Sequence, residues 1–126
     1  MKRMTIMILL VGGIFFLFQS FFLNRIPSPE IPEEVNQVLV SHCYHCHSTD
    51  GKSKKAREAL NFEKWEDYKV TEQISLLDNV TEKISNDEMP PGAYLVFQPK
   101  MKLDDSQKKL ILKWAKETSD SLMEGN

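Results

Sequence analysis

The chain has 126 residues, 41% of them hydrophobic, a formal net charge of −2 and two cysteines. That length suits one small domain. Setting aside Lys2, Arg3 and Arg25, the rest carries 13 basic against 18 acidic residues, near −5. Such a body lacks the basic footprint of a nucleic-acid binder, so no nucleic-acid partner is expected, and it is steered toward basic protein surfaces. Much of the apolar content lies in the first 23 residues. The remainder has a thin supply of core side chains and needs a staple.

After Met1-Lys2-Arg3, the stretch Thr5 to Leu23 carries no charge. As a helix it would be about 28 Å long, close to the roughly 30 Å of a bilayer's hydrocarbon. A secretory signal peptide is the competing reading, with a shorter apolar core and small residues at its end. This segment has no Ala and ends in Phe21-Phe22-Leu23-Asn24-Arg25, which favours an uncleaved anchor. Lys2 and Arg3 hold the N terminus in the cytoplasm by the positive-inside rule, although Arg25 weakens the asymmetry. Residues 1–25 are thus read as a single-pass membrane anchor (or signal peptide), and the rest as exported. Pro27, Pro29 and Pro32 make residues 26–33 a stiff spacer. Prolines that merely mark a helix start are the plainer alternative.

Residues 34–122 are expected to form an all-α domain. Pro32, Glu33 and Glu34 suit a first helical turn. Val35, Val38, Leu39 and His42 recur at helical spacing. This helix leads into Cys43-Tyr44-His45-Cys46-His47, the attachment pattern of a c-type haem. Two thiols three positions apart reach one ring edge, and the next residue offers its imidazole to the iron. A structural zinc site needs four ligands, normally as two separated pairs, and the second pair is missing here. A redox dithiol of the thioredoxin kind would need βαβ patterning, and none is visible. Of the other histidines, His45 lies between the cysteines and is expected to point outward. His42 on the helix would serve a second haem only if a second attachment motif existed.

Ser48 to Ser53 reads as a polar loop, Lys54 to Leu60 as a short helix. Phe62 and Trp65 are expected to pack on the haem or the core. A helix over Thr71–Asn86 presents Ile74, Leu77, Val80 and Ile84 on one face and stops before Met89-Pro90-Pro91-Gly92. Residues 93–102 read as irregular, with Tyr94, Leu95, Val96 and Phe97 buried and a short strand as an option. Asp104 with Gln107 makes a capping box for a last helix, about Asp105 to Ser119.

The second axial position decides what such a haem does. A Met thioether suits electron transfer, whereas an open position suits a small-molecule sensor or a peroxidase-like enzyme. Met89 stands in a segment that cannot be helical and is the expected ligand. Met101, between Lys100 and Lys102, is the alternative, and a gap-filling role for both methionines is the plain reading. The expected set is Cys43, Cys46, His47 and Met89 around one covalent haem c, with His47 and Met89 on the iron.

The pattern resembles a family of small bacterial haem-binding domain proteins, relatives of cytochrome c. The residues that carry the resemblance are Cys43-Tyr44-His45-Cys46-His47-Ser48, Arg57-Glu58-Ala59-Leu60-Asn61-Phe62 with Trp65, Met89-Pro90-Pro91 with Tyr94, and Lys102-Leu103-Asp104-Asp105 leading into Leu110-Ile111 and Trp114-Ala115. It spans roughly Val35 to Glu117 and implies a membrane-anchored monohaem electron carrier of the bacterial cytoplasmic membrane, haem side out, serving a redox partner protein. Relatives usually carry a longer segment after the motif than Ser48–Ala56 here, which implies a more exposed haem edge. The resemblance gives Arg57 no role. A propionate partner and a solvated surface Arg are both open.

Overall fold

The computed structural model describes residues 29–125. The expected anchor over residues 1–25 lies outside them. Among the described residues there is no strand, and no helix is long and apolar enough to cross a membrane.

The described residues form six α-helices in order: α1 (Glu33–His42), α2 (Tyr44–His47), α3 (Lys54–Ala59), α4 (Val70–Ser85), α5 (Gly92–Phe97) and α6 (Asp105–Glu124). Short 3-10 segments cover Phe62–Asp67 and Pro99–Met101. The longest helices, α4 and α6, make the main pairing, and α1 packs across α6 and against α2. Leu77 and Ile84 of α4 and Ile111, Trp114, Ala115, Thr118 and Leu122 of α6 are buried. Val35 and Leu39, one turn apart on α1, complete the centre. Trp65 closes one end, its ring centroid 5.7 Å from that of Trp114. Its indole Nε1 donates to the carbonyl of Pro29 at 3.0 Å, so the chain's entry into the domain is pinned at Pro29. Ile31 packs on the core as well.

Three local expectations change. Residues 92–97 form a helix instead of an irregular run or strand, because Pro91 opens a turn that Tyr94 and Leu95 N–H groups close onto its carbonyl. Only Tyr94 and Leu95 of that segment are half-buried, while Val96 and Phe97 are 76% and 81% exposed. The last helix runs on to Glu124, since Leu122 continues the stripe of Trp114 and Thr118 and is itself buried. Its start follows the capping-box expectation: Gln107 N–H donates to Asp104 Oδ1 at 2.8 Å, and Asp104 N–H to Gln107 Oε1 at 2.9 Å.

Candidate functional site

Between α2, α3, α4 and the segment after α4 lies a cavity of about 500 Å³, within the range of small-molecule and cofactor pockets. Its walls are mostly apolar, with Leu39, Leu60, Phe62, Val80, Ile84 and Ile111 among them. Cys43, Cys46, His47 and Met89 all stand on this one surface, 46 positions apart at the extremes, whereas Met101 does not. His45 and His42 also reach it.

The wall bearing His47 is built from short-range pieces. α1 ends at His42, Cys43 widens to a φ of −115°, and α2 starts at once, with Cys46 and His47 N–H groups donating to the Cys43 carbonyl. One turn therefore presents both thiols. α3 stops at Leu60, whose backbone turns extended while its side chain stays buried. That frees the Leu60 carbonyl to accept the Nδ1–H of His47 at 2.9 Å. A carbonyl only accepts, so Nδ1 carries a proton, and in the neutral ring Nε2 keeps its lone pair: the tautomer of a metal-ligating imidazole with its orienting partner in place.

The next two residues reinforce the same wall. Asn61 accepts from the Glu63 N–H and donates to Thr49. Phe62 meets His47 edge-on and lies nearly parallel to Tyr44, both at 6.0 Å between centroids. Leu60-Asn61-Phe62, quoted above for the resemblance, is thus the buttress of His47.

The loop after His47 closes against this turn through Gly51. A Cβ there would stand 2.5 Å from the Cys46 carbonyl oxygen. The loop is held further by Lys52 N–H donating to the His45 carbonyl, by Thr49 N–H donating to Glu63 at 2.8 Å, and by the Arg57 guanidinium donating to the Gly51 carbonyl. Arg57 is half-buried and engaged with the loop, and it is not among the residues that line the cavity. The Thr49 bond draws the Glu63 carboxyl below its ordinary range. Burial and the adjacent Cys46 push the Cys43 thiol up to about 12.

His42 has a different job. Its Nδ1–H donates to the Met101 carbonyl at 3.1 Å, and its Nε2 accepts from Gln107 at 3.0 Å. Both ring nitrogens are spent tying α1 to the start of α6, leaving none for a metal. His45 is exposed as expected, its ring 5.9 Å from Tyr94.

The opposite wall is a capped helix end. After Asn86, Asp87 takes a left-handed φ of 55°. Its N–H donates to Ile84, and Glu88 N–H to Lys83 at 2.9 Å, the double bond pattern that closes a helix without glycine. Lys83 pairs with Glu88 at 2.7 Å, and Lys108 of α6 pairs with Asp87. Both carboxyls are held below their usual range by these lysines. Met89 follows directly, half-buried and packed on the core. Two adjacent thiols, an oriented imidazole with a free Nε2, a thioether and apolar walls are the donor set and surroundings that suit a haem.

Among the described residues, no group of three or more His, Cys, Asp or Glu side chains is placed to hold a metal ion. Comparison with curated proteins gave no match, and neither did comparison with solved structures. A haem-binding domain family matches residues 50–117, a stretch that begins just after His47 and holds the His47 buttress, Met89 and the α4–α6 pair. By that match over more than half its length, the chain belongs to the haem-binding domain family.

Proposed function

We propose that the chain is a membrane-anchored, monohaem c-type electron carrier. The observation that supports it most is the His47–Leu60 bond, which orients an Nε2 lone pair on the same cavity surface as Cys43, Cys46 and Met89. When bound, haem supplies one-electron cycling between ferric and ferrous iron. The chain's own residues do the rest. Cys43 and Cys46 would hold the group by thioether bonds, and His47 would offer its Nε2 to the iron. Met89 would be the second ligand, favoured over Met101 by its place on the cavity wall. Leu39, Phe62, Ile84 and Ile111 exclude water, which with the thioether tunes the potential upward. The exported placement follows from the N-terminal sequence, and the acidic balance of the domain suits a basic redox partner.

The test is an optical one. The full chain, produced with haem-attachment machinery, is expected to show a low-spin spectrum in both oxidation states. The ferric form should carry the long-wavelength band of Met-ligated haem, lost in Met89→Ala and kept in Met101→Ala. A high-spin spectrum that responds to carbon monoxide would replace the electron-carrier reading with the sensor or peroxidase one. Absence of covalent haem would remove both.

A further inference from the structure

The cavity's Met89 side continues into a surface that the electron-carrier reading does not use. On α5, Ala93, Val96 and Phe97 stand at i, i+3 and i+4 and so share one face. All three are exposed, Val96 and Phe97 more so than any other large apolar residues among the described ones. Tyr94 and Leu95 turn the opposite way, and Tyr94 lines the cavity. Burying neither Val96 nor Phe97 costs the domain apolar contact that it can ill spare.

Charge separates this region from the rest of the molecule. Between Glu88 and Asp104 there is no acidic residue, while Lys100 and Lys102 follow α5 and are both exposed. Elsewhere the domain is rich in acids. The carboxylates that bracket the stretch are occupied: Glu88 pairs with Lys83, Asp87 with Lys108, and Asp104 caps α6. An apolar aromatic face followed by two exposed lysines, the nearby Asp87 carboxylate being paired with Lys108 and within the field of Lys102, matches the boundary between acyl chains and anionic headgroups.

The chain also brings a bilayer within reach. Because Trp65 holds the Pro29 carbonyl, only Asn24 to Ser28 separate the uncharged segment ending at Leu23 from the packed domain. Five extended residues span at most about 17 Å, less than the width of a domain of this size.

We propose that α5 is a membrane-contact element: Val96 and Phe97 enter the headgroup boundary of the bilayer, and Lys100 and Lys102 engage lipid phosphates. The domain then lies on the membrane instead of tumbling above it, with the Met89 side of the cavity toward the lipid. This rests on the anchor reading of residues 1–25, and the test separates the two.

The full haem-loaded chain is placed in nanodiscs of mixed zwitterionic and anionic phospholipid, one copy per disc, with p-benzoylphenylalanine in place of Phe97. A second preparation carries it in place of Lys116, an exposed position more than three turns along α6 from Asp104. After illumination, adducts are identified by mass. Lipid adduct at position 97 and none above background at 116 is the expected result, with the yield at 97 falling when Lys100 and Lys102 are both changed to Glu. No lipid adduct at 97, or equal adduct at both positions, overturns the proposal. A protein–protein adduct at 97 in discs loaded with two copies, with no lipid adduct, overturns it in favour of a second copy as the occupant. Alkaline carbonate washing of membranes reports on the anchor by itself. Chain retained without lipid adduct sinks only the α5 contact, whereas chain released sinks the anchor reading as well.

Discussion

The two walls of the cavity are built on different principles. The His47 wall is held by main-chain geometry: a backbone carbonyl orients the imidazole, a glycine lets the loop touch the motif's own turn, and Phe62 backs the ring. None of these is an ion pair. The Met89 wall is held by a helix cap and two ion pairs between half-buried lysines and exposed carboxylates, whose strength salt and protons control. On the proposed reading, the first wall would fix where the iron goes, and the second would leave room to adjust what stands opposite it. The proposed carrier would gain a place for tuning its potential there, at little risk to attachment.

The largest expected effect breaks the first wall outright. Cys43→Ser with Cys46→Ser should leave no haem on the denatured chain after acidic solvent extraction, while Met89→Ala should keep it fully attached.

Next comes a pair of glycine substitutions, one on each side. Gly51→Ala forces a Cβ against the Cys46 carbonyl. Overpacking of this kind costs about 1–3 kcal/mol, a fall in Tm on the order of 10 °C for a domain of this size. Gly92→Ala on the Met89 side meets nothing within 4 Å and sits at the first position of α5, so Tm should hold or rise slightly. Equal losses in the two variants would mean that the walls are not distinct. Smaller again, Arg57→Ala removes one charge-assisted bond to the Gly51 carbonyl and should cost about 1–2 kcal/mol, read by denaturant midpoint.

The smallest effect is acid sensitivity confined to the Met89 side. Asp87 and Glu88 have carboxyls lowered by Lys108 and Lys83 from ordinary values of 3.8 and 4.5. A lowered carboxyl contributes stability that is complete above its ordinary value and lost as pH falls through the lowered one. The long-wavelength Met band should accordingly fade below about pH 4, and earlier in Asp87→Asn. On the His47 wall, Glu63 is lowered too, but it holds Thr49 and not the imidazole. The His47 environment, followed by the intensity of the main haem absorption, should outlast the Met band.

How much of this was readable in the sequence depends on the distance over which each signal acts. The attachment motif, the capping box at Asp104 and the helical stripe of α4 are local patterns, and the structure shows them where the residues put them. The end of α6 was legible in principle: Leu122 lies one turn beyond Thr118, past the expected end at Ser119, and its burial carries the helix on. The exposure of Val96 and Phe97 was not legible, because apolar residues in a short run are expected inside, and nothing local says that this face has no neighbour. The Leu60 carbonyl was invisible as well. Any residue supplies a carbonyl, and only the fold shows which one meets His47 thirteen positions away. Met89 was separated from Met101 by the prolines after it. That His42 is spent on Met101 and Gln107 needed the packing of α6 against α1.

Gly51 also has a bearing on comparing sequences. The compact turn after His47 tolerates one letter at that position, since every other amino acid brings a Cβ into the Cys46 carbonyl. Its neighbours Asp50 and Lys52 face solvent and leave their side chains free to vary, whereas the Thr49 hydroxyl accepts from Asn61. A related chain with a side-chain-bearing residue aligned to Gly51 must route its loop differently. That single column is therefore a marker for which members share this short path, and it can be read without solving another structure.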